Sequence, residues 1–132
     1  MKIEDHLINL KESLDVLDYC RETGYDEKQR TIGFHTSSAC ADMLEILLHK
    51  KNLIDSGFMI KHEWFKAPNK VKEKLSFDFP KKKEILNLAK RIEEKRNLLC
   101  YGKKQSPEFI LENLEDFNKI KVLFKEAGLD EL

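Results

Sequence analysis

The chain has 132 residues, with 24 Lys or Arg balanced by 24 Asp or Glu, so its formal net charge is zero. That length suits one domain with a core of its own and excludes two comfortable ones. The charge balance excludes a globally basic nucleic-acid surface and leaves only local patches.

Charged residues make up 36% and hydrophobic residues 41%. This mixture excludes a disordered chain and suits long helices with solvated Lys and Glu faces, with a lean toward a thermophilic source. With five Gly and three Pro, punctuation is sparse, which favours long helices over many short strands. No apolar run approaches the ~18 residues of a membrane span. Cys20, Cys40 and Cys100 are an odd, widely spaced set with no signal-like segment ahead of them. The expectation is packed free thiols in a reducing cytoplasm.

In "KIEDHLINLKESLDVLDYC", Ile3, Leu7, Leu10, Leu14 and Leu17 step by four and three. That spacing predicts a helix with one buried stripe, ended near Gly24. "RTIGFHTSSACADMLEILLHKKNLI" predicts a second helix, with Ile32, Ala39, Met43 and Ile46 on one line. Its small run "TSSACA" (36–41) would admit a close neighbour or a second copy of the chain. Gly33 weakens the first turns and predicts a kink or irregularity. Residues 57–79 are the least regular stretch, rich in Phe and carrying Trp64. They predict a long connection packed on the bundle, with one short helix near 69–75.

A third helix is expected to open with Pro80 at its first position and to end at Gly102, with Ile85, Leu88, Ala89, Ile92 and Leu99 on its inner stripe. The fourth follows "SPEF", with Ser106 as cap and Pro107 at the first position. Ile110, Leu114, Phe117 and Phe124 form its stripe, and Gly128 ends it. The fold expectation is all-α: a single domain over 1–132, an antiparallel up-and-down four-helix bundle with a long, partly helical connection between helices two and three.

The stretch "KRIEEKRNLLCYGKK" breaks the pattern of the third helix. Arg96 falls in phase with the core stripe and Asn97 lies beside it. A guanidinium there needs a partner. It fits phosphate or carboxylate bidentately, and an aromatic nearby stacks on a base. Gly102 would let Tyr101 swing back toward Arg96, and Lys103 follows as a further cationic candidate. The alternative for Arg96 is a salt bridge to Asp42 or Glu45, and for Tyr101 packing at the rim. Arg30 and His35 repeat an Arg-x4-His spacing at the start of the second helix. The histidines lack metal-like spacing: "HEWF" has Lys at position 66 where a zincin needs its second histidine. Glu45 and His49 read as a surface pair. No metal or cofactor is expected.

"EEKRNLLCYGK" resembles the signature region of HEPN domains, and "FHTSSACADMLEILLHKK" is similar to that family's second helix. The resemblance implies a helical bundle, usually a homodimer. Active members are metal-independent ribonucleases, often toxins; others partner a minimal nucleotidyltransferase encoded beside them. By this resemblance Arg96 matches the family arginine and Asn97 the polar residue after it. Tyr101 stands where the catalytic histidine would be. Histidine titrates near pH 6.5, whereas tyrosine at a pKa of ~10 is ionised about one part in a thousand at pH 7.

The leading expectation is therefore a dimeric domain binding RNA, a nucleotide or a nucleotidyltransferase partner through Arg96, Asn97 and Lys103. A toxin–antitoxin or defence-type setting goes with it. The enzymatic alternative is an endoribonuclease using Arg96, with Tyr101 or His35 moving the proton. The third reading is a structural dimer assembled through "TSSACA".

Overall fold

Leucines spaced by four and three give α1 (Ile3–Thr23), whose buried face includes Leu10, Leu17 and Cys20. Gly24 ends it with φ of 106°, a left-handed conformation that costs glycine little. A 3₁₀ turn at Tyr25–Glu27 leads into α2 (Gln29–Lys50). The computed structural model describes all 132 residues, with five α-helices and no strand.

Fourteen of the 22 residues of α2 are buried, more than a single apolar stripe supplies, because this helix is the central one. It packs against α1, α4 (Lys82–Tyr101) and α5 (Pro107–Glu126). The small run 36–41 serves those packings. Thr36, Ser37, Ala39 and Cys40 are all buried within the chain. The Thr36 hydroxyl accepts from Asn113 on α5 at 2.9 Å, and the Ser37 hydroxyl donates to Glu93 on α4 at 2.5 Å. Ser38 and Ala41 of the same run stay half-exposed. Gly33 does not kink the helix, which runs unbroken through it. A Cβ at Gly33 would lie 2.6 Å from Leu99 Cβ and 3.1 Å from Cys100 Sγ. Glycine is there because α2 and the end of α4 nearly touch.

The connection after α2 packs on the bundle as its composition predicts. It holds a 3₁₀ turn at His62–Lys66 and α3 (Pro68–Lys74), close to the predicted short helix. Trp64, Phe65, Leu75 and Phe79 are buried, and Phe58 meets Trp64 and Phe77 edge-on. Pro80 is not the first residue of the next helix. The chain first turns through Lys81, at φ of 62°, and α4 begins at Lys82. The opening of α5 is as expected: Ser106 Oγ accepts from the Phe109 amide at 3.2 Å, with Pro107 in the first turn. One continuous cluster of 27 buried residues draws on α1, α2, the connection, α4 and α5. No helix is long and apolar enough to cross a membrane.

Candidate functional site

The end of α4 carries two kinds of polar residue on its inner side. Glu93 and Lys95 are buried, at 5% and 8% exposure, and both are fully paired. Glu93 takes the Ser37 hydroxyl and His62 Nδ1, the latter at 2.8 Å, and Lys95 donates to Asp116 at 2.7 Å and Glu112 at 3.2 Å. Arg96 is different. It is half-buried, and its Nε is buried with no hydrogen-bond partner. Its expected carboxylate partners are engaged elsewhere: His6 Nδ1 lies 2.8 Å from Asp42, and His6 Nε2 lies 3.5 Å from Glu45. The salt-bridge reading of Arg96 is therefore corrected, because α1 delivers a histidine to both acids.

The guanidinium instead lies over the Tyr101 ring, its carbon 5.8 Å from the ring centroid. A cation on an aromatic face gains about 0.5–1 kcal/mol at exposed sites. Tyr101 is 71% exposed, so it is not packed at the rim. It is the last residue of α4, and Gly102 then runs extended and brings no side chain over it. Asn97 is half-buried. The Lys103 side chain is exposed, and the residue is held by its backbone, since its carbonyl accepts from Gln29 Nε2 at 3.0 Å. Gln29 also donates to the Leu99 carbonyl and accepts from the Gln105 amide at 2.7 Å. This buried glutamine staples the α4–α5 loop to the start of α2.

Tyr101 shares an open hollow of about 330 Å³ with Arg30, Thr31, Phe34, His35 and Cys100. No Asp or Glu lines it. Burial pushes the Cys100 thiol up and the Glu93 carboxylate adds to the rise, while Arg96 and Arg30 pull the other way. His35 faces the same hollow, with Nδ1 3.0 Å from Ser13 Oγ. Burial lowers its pKa below the usual histidine value against the opposing charge of Glu12, so the imidazole is neutral at pH 7. Arg30 and His35, five residues apart on α2, both line this hollow. Comparison with family models, characterised proteins and solved structures finds no match.

A second cleft, of about 490 Å³, opens between α1, α2 and the connection. His6, Glu12, Ser13, His35, Asp42, Glu45 and His62 are among its walls. Burial alone would lower the His6 pKa, but its hydrogen bond to Asp42 and the nearby Glu45 raise it to about 9. Burial also holds the Asp42 carboxyl above its ordinary value, against the pull of His6. Glu45, expected as half of a surface pair with His49, is instead 4% exposed and belongs to this cluster. His49 Nε2 lies 3.1 Å from the Met1 carbonyl. Nothing in the spacing of His6, Asp42 and Glu45 signals that they meet. No group of three His, Cys, Asp or Glu side chains has the geometry to hold a metal ion.

Proposed function

We propose that this chain is a HEPN-like domain that binds RNA or a nucleotide at the end of α4. In this reading α1, α2, α4 and α5 form an antiparallel up-and-down bundle. The domain works in the cytoplasm as a homodimer, with a minimal nucleotidyltransferase as a further partner in a toxin–antitoxin or defence-type system. The observation that carries the binding reading is Arg96: a half-buried guanidinium with no carboxylate, held over an exposed tyrosine beside an acid-free hollow. A guanidinium fork takes a phosphate through paired N–H donors, and an exposed aromatic ring stacks a base. Arg30 at the same hollow adds a second charge, and Asn97 and Lys103 are close to Arg96 and Tyr101 along the chain.

The test is fluorescence anisotropy with a labelled short single-stranded RNA at two salt concentrations. Wild type is expected to bind with salt-dependent affinity. Arg96→Ala is expected to weaken binding by at least about tenfold, equivalent to about 1.4 kcal/mol. Equal affinity of wild type and Arg96→Ala would overturn the reading.

One observation favours the enzymatic alternative: a neutral His35 faces the hollow beside Tyr101. A neutral imidazole can accept the proton of an RNA 2′-hydroxyl. The 2′-oxygen then attacks phosphorus and the bond to the 5′-oxygen breaks, leaving a 2′,3′-cyclic phosphate; water or Tyr101 protonates the departing oxygen. Arg96 would hold the phosphoryl oxygens. RNA cleavage lost in both His35→Ala and Arg96→Ala supports this activity. Binding without cleavage leaves the domain as a binding partner.

A further inference from the structure

The second cleft has a charge balance opposite to that of the Tyr101 hollow, whose one charged lining residue is Arg30. Its walls contain no Lys or Arg, although 24 of the 132 residues are basic. Three carboxylates line it: Glu12 near the exposed mouth, and Asp42 and Glu45 where they are buried against α1. One imidazolium, His6, serves both buried acids. It spends its shorter contact, 2.8 Å, on Asp42. Glu45 Oε1 is buried and accepts no hydrogen bond, with His6 Nε2 3.5 Å away. The Met1 ammonium at the rim donates to the Ser56 carbonyl. Two buried carboxylates share one imidazolium, and His6 Nε2, itself without a hydrogen-bond partner, faces Glu45 Oε1 at 3.5 Å without forming a bond, an arrangement that costs free energy until a better-placed donor arrives.

We propose that this cleft binds a small organic cation bearing primary ammonium groups, of the aliphatic diamine or polyamine class. One ammonium donates to Glu45 Oε1 and supplies the missing positive charge. A second lies at the mouth against Glu12. Between them the methylene chain passes Phe34 and Met59, two apolar side chains that are 49% and 65% exposed and line the same cleft. An ammonium group is three donors and no acceptor, which suits walls that offer carboxylates and the hydroxyls of Ser13 and Ser38. The cleft volume, about 490 Å³, is in the range of small-molecule sites. The proposal is separate from RNA binding in its charged groups, Glu12 and Glu45, which do not line the Tyr101 hollow, although Phe34 and His35 border both.

Isothermal titration of the full chain with putrescine and with spermidine, at constant ionic strength, tests it. The expected result is saturable one-to-one binding that Glu45→Gln weakens by about tenfold or more, as loss of a hydrogen bond to a charged group does. Glu12→Gln, an exposed change that leaves the fold alone, is expected to weaken the diamine several-fold and a monoamine of the same length less. Absence of binding to wild type overturns the proposal. So does binding that Glu12→Gln and Glu45→Gln both leave intact, or binding that sodium chloride of equal ionic strength abolishes. If Glu45→Gln lowers the melting temperature, Glu12→Gln and the monoamine comparison still decide.

Discussion

Replacing Gly33 by alanine asks whether that glycine exists for contact or for backbone freedom. In an exposed helix interior the change would stabilise by about 1 kcal/mol, through helix propensity and a less flexible unfolded chain. Here the new methyl would sit 2.6 Å from Leu99 Cβ and 3.1 Å from Cys100 Sγ. Carbon atoms rest about 3.5–4.0 Å apart, so α2 and α4 must separate by about 1 Å. Leu99 Cβ is bonded to the backbone and no rotamer moves it away. Overpacking costs about 1–3 kcal/mol, and a 2.6 Å clash with an atom that cannot rotate away falls in the upper part of that range, about 2–3 kcal/mol. With the propensity gain subtracted, the expected net loss is about 1–2 kcal/mol. For a chain of this size that is a fall in melting temperature of about 3–8 °C. Urea and thermal unfolding followed by far-UV circular dichroism measure it. Gly57→Ala, which meets only the Asp55 carboxylate at 3.2 Å, serves as the control and should stay within about 0.5 kcal/mol. An unchanged or raised midpoint for Gly33→Ala would refute the close approach of α2 to α4, and with it the placing of His35 beside Tyr101.

Four further outcomes follow from the geometry. Asp116→Ala strands the buried Lys95 ammonium with Glu112 alone and should cost about 2–4 kcal/mol. The double change Lys95→Met/Asp116→Leu should recover most of that in urea melts. His6 has a folded pKa of about 9, above its ordinary 6.5. Its contribution to stability is therefore complete below pH 6.5 and lost as pH rises toward 9. A decline of up to about 3 kcal/mol is expected, and His6→Gln should flatten that limb of the pH–stability curve. Ser106→Ala removes the cap of α5 and should cost about 1 kcal/mol, read as a lower urea midpoint. Tyr101→Ala, at an exposed helix end, should leave stability within about 0.5 kcal/mol. It should weaken RNA binding by about 1–3 kcal/mol in the anisotropy assay.

The four long helices were readable because their apolar residues recur at helical spacing and because Ser106-Pro107 and Gly24 are terminus signals with local causes. The 3₁₀ turn at His62–Lys66 was not, since adjacent buried residues such as Trp64 and Phe65 carry no period. The displaced start of α4 turns on a lysine in a left-handed conformation, which has no sequence signature. At the candidate site, the proximity of Arg96 and Tyr101 is a local matter of five residues and a helix end, and it was legible. Their meeting with His35 needs two helices to touch at Gly33. The pairing of His6 with Asp42, 36 positions apart, and of Lys95 with Asp116 belongs to tertiary packing. Glu93 and Lys95 give no sign of their burial in the sequence, because a buried charge and its distant partner leave no periodic trace.

The position of α1 has a consequence for motion. Its backbone comes within 8 Å of α2 and the Tyr25–Glu27 turn alone among the elements, and its one hydrogen bond to α5 joins the surface residues Arg21 and Asn118. Lifting this helix would break few long-range ties compared with withdrawing α2. Amide protons of α1 should therefore exchange with deuterium earlier than those of α2, as one cooperative block. The same excursion would carry His6 away from its two acids, so a ligand seated between α1 and α2 would slow that exchange and leave its rate elsewhere unaltered.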